Sequence, residues 1–456
     1  MVNLLTFKVA LILILISFII VYGTSNQYNV SSIISNRAKE GPVMKDPNLQ
    51  VQEYSAGFDF PTGMVFLGPD DVLITEKNTG KVKEIKNGTL TGTILDVNVS
   101  NSGERGLLGI ALLKQVGNDN RHNISVFLYY TESEDFDGGK ALGNRVYRFE
   151  LDDDKLINPK LLLNLPASPD IIHNGGKILV DPDNNLFITV GDIGAIKVKG
   201  STKTINDQKG ADADGRGGIL RINQNGKAVN GGILGSNHPL DKYFAYGIRN
   251  SYGIAIDPVS GKLWDTENGQ GFGDEINLVK PGFNSGWNKI QGIWVALGQG
   301  RGSVLANTDQ LVNFHGKGSY SPPEFVWDQT VGPTDVVFLN SDKLGKNYEN
   351  DMFVGDFHNG YLYHFNLNNK RTALHLDPPL EDKLARNNDD LEEVISGRGF
   401  GGITDLETGP DGYLYVLSTY LGGGNCGDNP NPNKSPCLHY SSSNTGDIFR
   451  IVTVLE

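Results

Sequence analysis

The sequence predicts an all-β fold: a six-bladed β-propeller of four-stranded antiparallel blades, preceded by an N-terminal hydrophobic segment. Three observations support this prediction: many turn residues, a strand pattern that recurs six times, and no comparably long helical pattern after the N-terminal segment. A large β-sandwich is the alternative, but a sandwich would not produce six similar units.

Composition favours turns and excludes one class of partner. The 456 residues include 57 glycines, and only 20% of the residues are charged. Glycine, asparagine, aspartate and proline separate short apolar runs, which is typical of β proteins with many turns. The formal net charge is −13 and no cluster of lysine and arginine is present, so a nucleic-acid groove is not expected.

The repeat consists of two consecutive strand patterns. The first is a turn followed by an alternating strand, as in "GPDDVLITEKNTG", "DPDNNLFITVGD", "DPVSGKLWDTENG" and "GPDGYLYVLSTY", with looser copies "HNISVFLYYTES" and "YENDMFVGDFHNG". The second follows each first one, as in "NRVYRFEL", "GGILRIN", "DEINLV" and "GDIFRIV". Six such pairs predict six blades.

The N-terminal segment predicts export. Lys8 precedes the apolar run Val9–Tyr22, which is short for a membrane-spanning helix. A cleaved signal peptide and a retained membrane anchor both remain open for residues 1–24, and either places the rest outside the cytoplasm. Residues 25–50 are expected to form a linker, and residues 51–456 the propeller.

The two cysteines, Cys426 and Cys437, lie ten residues apart in a loop rich in proline and asparagine. In an exported chain this arrangement predicts a disulfide, with two free thiols as the alternative.

Hairpin symmetry predicts which residues meet. In an antiparallel hairpin, residues equidistant from the turn lie side by side, so the turn near Asp183 brings His173 and Asp192 together. The same reasoning places Arg249 and Asn250 opposite Gly269 and Gln270. All these positions are expected at one mouth of the central channel.

The residue types at this mouth suggest chemistry. A carboxylate beside an imidazole fixes the tautomer and raises the basicity of the ring, as a general base at His173 would require. Arg249 suits a carboxylate or a developing oxyanion. The segment "DTENGQGFGDEINLV" is rich in the oxygen donors that calcium prefers, although a solvated polar turn is the simpler interpretation.

Four stretches carry a family resemblance. The motifs "GERGLLGIALL", "HNGGKILVDPDNNLFITVGD", "YGIRNSYGIAIDPVSGKLWDTENGQGFGDEINLVKPGFNSGWN" and "TGPDGYLYVLS" resemble the pyrroloquinoline quinone (PQQ)-dependent aldose sugar dehydrogenases, which include soluble glucose dehydrogenase and the sorbosone dehydrogenase relatives. The resemblance covers roughly residues 55–455, and it also implies a six-bladed propeller.

The resemblance assigns the catalytic roles. It implies that His173 takes the proton from the sugar C1 hydroxyl while hydride passes to PQQ, and that Asp192 orients His173. Arg249 and Asn250 match the pair over the quinone. Glu104 matches a position near the sugar. Calcium is implied on the backbone carbonyls of two residues, Gly269 and Gln270.

Departures from the family pattern concern the cofactor. His358 stands where the family often has a lysine, and Gly402 and Thr404 stand at expected arginine positions. His358 and Thr404 are therefore the expected cofactor contacts. This part of the site then has fewer cations than the three carboxylates of PQQ would attract.

The predicted function is oxidation of an aldose to its lactone by calcium-bound PQQ, with electrons leaving to a separate acceptor. Two alternatives remain: a non-enzymatic extracellular binding propeller that has lost the quinone, and a calcium-dependent lactonase using Glu104 and Glu132.

Overall fold

Short strands form nearly all the regular structure of the described residues. A computed structural model describes residues 41–114, 124–194, 200–297, 300–304, 308–419 and 444–454. Contacts divide the chain into residues 1–42 and 43–456, and every described strand belongs to the second unit.

The strands are numbered in chain order. The first ten are β1 (Val43–Met44), β2 (Leu49–Phe58), β3 (Pro61–Gly68), β4 (Asp71–Glu76), β5 (Lys81–Lys86), β6 (Thr89–Asp96), β7 (Leu107–Lys114), β8 (Ile124–Ser133), β9 (Ala141–Asp152) and β10 (Lys155–Leu165). The next eleven are β11 (Ile178–Val180), β12 (Leu186–Val190), β13 (Gly218–Ile222), β14 (Tyr243–Tyr246), β15 (Ser251–Ile256), β16 (Leu263–Glu267), β17 (Asp274–Val279), β18 (Phe283–Asn284), β19 (Ile290–Gln291), β20 (Trp294–Leu297) and β21 (Gly300–Val304).

The last eleven are β22 (Ser319–Tyr320), β23 (Phe325–Trp327), β24 (Pro333–Phe338), β25 (Met352–Asp356), β26 (Leu362–Leu367), β27 (Leu374–His375), β28 (Leu384–Ala385), β29 (Ile395–Arg398), β30 (Gly402–Thr408), β31 (Leu414–Thr419) and β32 (Gly446–Thr453). Helical structure in the described residues is short: α1 (Asn388–Leu391) and two 3-10 helices at Lys203–Ile205 and Leu240–Lys242.

The described strands form six sheets of four to six strands and one smaller sheet, β19-β20-β21. The large sheets are built on β3-β4-β5-β6, β7-β8-β9-β10, β11-β12-β13-β14, β15-β16-β17-β23, β24-β25-β26-β29 and β30-β31-β32-β2. Pairing is antiparallel apart from the added strands β18, β22 and β28. The last sheet is completed by β2, so the two ends of the described chain meet in one sheet.

The first strands of the six sheets contact one another in a cycle. The contacts run from β3 to β7, β11, β15, β24 and β30, and β30 contacts β3 again. Such a cycle brings residues at the starts of these strands together around one axis. The all-β architecture is therefore consistent with a β-propeller, the class that the sequence predicts.

The inner strands of each large sheet are largely buried on both faces, because the neighbouring sheets cover them. Strand β12 shows the principle: Leu186, Ile188 and Val190 pack with residues of the preceding sheet, whereas Phe187 packs towards the following one. Phe187 meets Phe244 edge to face, with ring centroids 4.8 Å apart. A strand buried on both faces is nearly continuously apolar, which explains the four apolar residues of "LFITV".

The strands begin within the segment that the sequence predicts to be a linker. Residues Val43 and Met44 pair with β29, and Leu49 and Gln50 pair with β32, so part of the expected linker belongs to the sheets. Residues 1–40, Cys426 and Cys437 lie outside the described residues, so the expected leader and disulfide remain predictions. Among the described residues, no helix has the length and apolarity to cross a bilayer.

Candidate active site

His173 and Asp192 lie side by side at one end of the β11–β12 hairpin. Nδ1 of His173 is 2.6 Å from Oδ1 of Asp192, and both side chains are buried. The hairpin register pairs Ile178 with Ile188, which aligns the two residues just beyond the strand ends, as hairpin symmetry predicts. Because a carboxylate is an acceptor, Nδ1 donates, and Nε2 is left as the acceptor of the ring.

Asp192 is held by more than the histidine. Its Oδ1 also accepts from the backbone N–H of Gly194 at 2.8 Å, and its Oδ2 accepts from Nε1 of Trp287 at 2.8 Å. Burial would raise the pKa of Asp192, but His173, the Arg249 cation and the Trp287 hydrogen bond outweigh it and lower that pKa. The carboxylate is therefore ionised at neutral pH, as the partner of a general base should be.

Glu104 acts on the backbone that carries the histidine. Its Oε2 accepts from the backbone N–H of His173 at 2.5 Å, and its own N–H donates to the carbonyl of Ile171. His173 has a φ of 59°, a left-handed conformation that is uncommon for a residue with a side chain. Glu104 thus lies at the mouth, where the resemblance implies it, and supports an unusual backbone conformation there.

Arg249 places a partly buried cation at the same mouth. One terminal guanidinium N–H donates to the carbonyl of Asn268 at 2.7 Å, and the guanidinium lies 5.5 Å from the centre of the Trp287 ring. Nε of Arg249 is buried and has no hydrogen-bond partner among the described residues. Burial lowers the pKa of Arg249 despite the nearby Asp192 and Glu104 carboxylates. A guanidinium with a free buried donor suits an anionic or carbonyl oxygen of a ligand.

Asn250 connects two neighbouring sheets. Its Oδ1 accepts from the backbone N–H of Gly175 at 3.1 Å, and its carbonyl accepts from Asn268 at 2.9 Å. Strand pairing here joins Ser251 with Glu267, so continuing the antiparallel register places Asn268 opposite Asn250 and Gly269 opposite Arg249. Of the two expected partners, Gly269 therefore lies opposite this pair and Gln270 lies one residue beyond it, because a bulge between Ser251 and Gly253 shifts the register by one residue.

The remaining expected cofactor contacts differ in their surroundings. His358 is exposed, and its Nδ1 lies 3.3 Å from the carbonyl of Thr330. Thr404 is buried, and its hydroxyl donates to the carbonyl of Leu417 within its own sheet at 3.3 Å. The exposed imidazole is therefore open to a ligand, whereas the threonine hydroxyl already has a partner.

The loop proposed for calcium is fixed by a buried carboxylate. Asp274 accepts from the backbone N–H of Gly269 at 2.6 Å, and from Val331 and Gly332 at 2.7 and 2.9 Å. This loop therefore lies against the start of β24. Within the described ranges, no group of three or more His, Cys, Asp or Glu side chains has the arrangement of a metal site. Calcium at Gly269 and Gln270 would depend on backbone carbonyls and remains a prediction.

Comparison with known proteins identifies the family. The family model for glucose/sorbosone dehydrogenase matches residues 58–424. The chain belongs to the glucose/sorbosone dehydrogenase family.

Individual relatives agree with this assignment. An uncharacterised protein of Synechocystis is 26% identical over 416 residues, covering 87% of this chain and 92% of the relative. The aldose sugar dehydrogenase of Escherichia coli is 26% identical over 373 residues, covering 79% and 87%. The solved structure of the PQQ-bound aldose sugar dehydrogenase of Streptomyces coelicolor has a TM-score of 0.59 and 21% identity, and the match covers 89% of this chain and 99% of that one. This last match shows a shared fold.

This glucose/sorbosone dehydrogenase family member has two further residues at the site that sequence reasoning did not select. Trp287 contacts both Asp192 and Arg249, and the motif "NSGWN" is its only local signal. Lys77 is buried with its Nζ 2.9 Å from Oδ1 of Asn78 and 5.3 Å from the centre of the Phe60 ring. Burial lowers the pKa of Lys77 to about 8, although Glu104 and Asp59 oppose this change.

Proposed function

We propose that this family member oxidises the C1 hydroxyl of an aldose to the lactone, using PQQ held with calcium at the mouth described above. The observation that carries the proposal is the buried His173–Asp192 pair beside the partly unpartnered Arg249 guanidinium. Family membership supports a sugar dehydrogenase of the PQQ type.

His173 has the arrangement of a general base. Asp192 occupies Nδ1, so Nε2 is the atom that takes the proton from the C1 hydroxyl. The ionised Asp192 stabilises the imidazolium that forms, and such pairs contribute about 10²–10⁴-fold to the rate of proton transfer steps. Glu104 holds the backbone of the base, so the ring keeps its direction during the reaction.

The side chains present fit PQQ in part. When bound, PQQ supplies a quinone that accepts the hydride from C1. Arg249, with its unpartnered buried Nε, would hold a quinone or carboxylate oxygen, and the exposed His358 would lie near a second acidic group. Gly269 and Gln270 would supply carbonyl oxygens to calcium. Fewer cations than the family pattern expects should make PQQ binding weaker than in relatives with the full set.

The remaining features complete the proposal. The six large sheets would be the six blades of the propeller. The chain would act outside the cytoplasm, after signal cleavage or on an N-terminal anchor, with Cys426 and Cys437 joined in a disulfide. Electrons would leave to a separate acceptor, and no nucleic acid would take part.

Reconstitution tests this function. The purified full chain is loaded with PQQ and calcium, supplied with a panel of aldoses and a dye acceptor, and analysed for lactone. Dye reduction that requires both PQQ and an aldose is expected, and it should fall when a calcium chelator is present in excess. The proposal would be contradicted if titration detected no PQQ binding and dye reduction did not depend on the quinone. The non-enzymatic binding propeller would then be the better interpretation.

The same preparation tests the lactonase alternative. Glu104 holds the backbone of His173, whereas Glu132 pairs with Arg145 at 3.2 Å and accepts from Tyr147. The two carboxylates thus have separate partners, and we expect no lactone hydrolysis by the protein without PQQ.

A further inference from the structure

We infer that Trp287 is a positioning residue that fixes both Asp192 and Arg249 at the proposed active site. The inference deepens the function proposed above and rests on it. Three groups of contacts carry it: one from the indole N–H, one from the indole ring and one from the backbone around Trp287.

The indole N–H donates the third hydrogen bond that the Asp192 carboxylate accepts. Oδ1 of Asp192 already accepts from His173 and from Gly194, and Oδ2 accepts from Nε1 of Trp287. Trp287 is 3% exposed and Asp192 is 1% exposed, so water does not readily replace this donor. With both oxygens bonded in different directions, rotation of the carboxylate would break a buried hydrogen bond, which is unfavourable.

The indole ring lies next to the arginine. The Arg249 guanidinium is 5.5 Å from the centre of the Trp287 ring, within the range of a cation–π interaction. This contact favours one location of a long side chain whose guanidinium makes a single hydrogen bond within the described part of the chain, to Asn268. One tryptophan therefore contacts both the partner of the base and the cation of the site.

The backbone of Trp287 is anchored, so the indole is a rigid support. Its N–H donates to the carbonyl of Gly247 at 2.9 Å, two residues before Arg249. Its carbonyl accepts from Nδ2 of Asn206 at 2.8 Å. Asn206 also exchanges two amide hydrogen bonds with Asn284, at 2.8 and 2.9 Å. Hydrogen bonds consequently connect the buried Asn206–Asn284 amide pair, through Trp287, to the Asp192 carboxylate.

Loss of the indole N–H should have a specific kinetic effect. Trp287→Phe keeps an aromatic ring beside Arg249 and removes the donor to Asp192. A hydrogen bond to a charged group contributes substantially to holding that group in place. Loss of this bond should therefore lower kcat about tenfold and change KM by less than about twofold. The acid limb of the kcat profile should move to higher pH, because the Trp287 hydrogen bond helps to lower the pKa of Asp192.

Trp294→Phe is the matched control. Trp294 is also buried and also lies under an arginine, with Arg301 4.8 Å from its ring centre, but it has no contact with Asp192. The control should keep the wild-type kcat and pH profile. Equal losses in both variants, or a wild-type profile in Trp287→Phe, would overturn the inference.

A second measurement needs neither PQQ nor activity. The chain contains four tryptophans, so ¹⁵N-indole labelling gives few signals. Asp192→Asn should shift one indole N–H signal, the one absent from Trp287→Phe, and leave the other three in place. If no indole signal responds, the inference is wrong even where the dehydrogenase activity is present. If the signal responds but no PQQ activity exists, the proposed function fails while the hydrogen bond is confirmed.

Discussion

Nδ1 of His173 lies 2.6 Å from Oδ1 of Asp192, and the two residues leave their strands at the same end of one hairpin. Both are buried, and Asp192 accepts hydrogen bonds from three different donors. This pair is the part of the site on which the functional proposal depends most.

Asp192→Asn should lower kcat by about 10²–10⁴-fold, because a neutral amide neither fixes the productive tautomer nor stabilises an imidazolium. Steady-state dye reduction measures the effect. The matched control is Asp183→Asn, at the exposed turn of the same hairpin, where the side chain is 81% exposed. The control should retain wild-type kcat, and an Asp192→Asn enzyme as active as this control would remove the carboxylate from the mechanism.

Glu104 variants separate a hydrogen bond from a charge. Glu104→Gln keeps an oxygen that accepts from the backbone N–H of His173, whereas Glu104→Ala leaves that buried donor unpartnered. An unpartnered buried donor costs about 1–3 kcal/mol, so the alanine variant should lose roughly tenfold or more in kcat. The glutamine variant should lose less. Equal losses in the two variants would indicate that the negative charge of Glu104, rather than its support of the backbone, is what matters.

Lys177 should control stability at the centre of the fold. Its Nζ is 2.7 Å from Oδ2 of Asp335 and also pairs with Asp405, so it joins three of the six large sheets. Burial would lower the pKa of Lys177, but Asp335 and Asp405 outweigh it and raise that pKa. A raised lysine pKa means that the pairing stabilises the fold below the unfolded-state pKa of 10.5 and is lost only as the pH rises through the folded-state value.

Lys177→Met should therefore reduce the free energy of unfolding by about 3–5 kcal/mol at pH 7, since it leaves buried carboxylates without a cation. The loss should be smaller at pH 5 than at pH 8, because burial raises the pKa of Asp335, and a protonated Asp335 needs no partner. Urea unfolding at the three pH values measures both effects. Lys203→Met, which removes an exposed pair with Asp212, should leave the free energy of unfolding close to the wild-type value, because solvent screens such a pair.

Local sequence patterns predicted the all-β architecture and the proximity of His173 and Asp192. The alternation around "DPDNNLFITVGD" places the turn near Asp183, and the period of two then brings His173 beside Asp192. Gly402 and Thr419 are paired across the β30–β31 hairpin by the same geometry. These results follow from short-range geometry, in which a few residues determine the outcome.

Contacts between distant segments could not be predicted in this way. Trp287 reaches Asp192 from a turn 95 residues further along the chain, and no periodicity in the sequence relates the two. The residues opposite Arg249 and Asn250 are Gly269 and Asn268 rather than Gln270 and Gly269, because a bulge between Ser251 and Gly253 shifts the register by one residue. Thr404, selected by its position in a motif, uses its hydroxyl within its own sheet. Side-chain direction and bulges depend on packing between sheets, which a linear pattern does not contain.

The most direct test of the central claim compares wild type with His173→Ala in a PQQ- and calcium-loaded preparation, using an aldose with protium or deuterium at C1. We expect a slower rate for wild type with the deuterated sugar, lactone as the product, and a loss of about 10²-fold or more in kcat for His173→Ala with PQQ binding retained. An alanine variant that oxidises the aldose at the wild-type rate would contradict the assignment of His173 as the base.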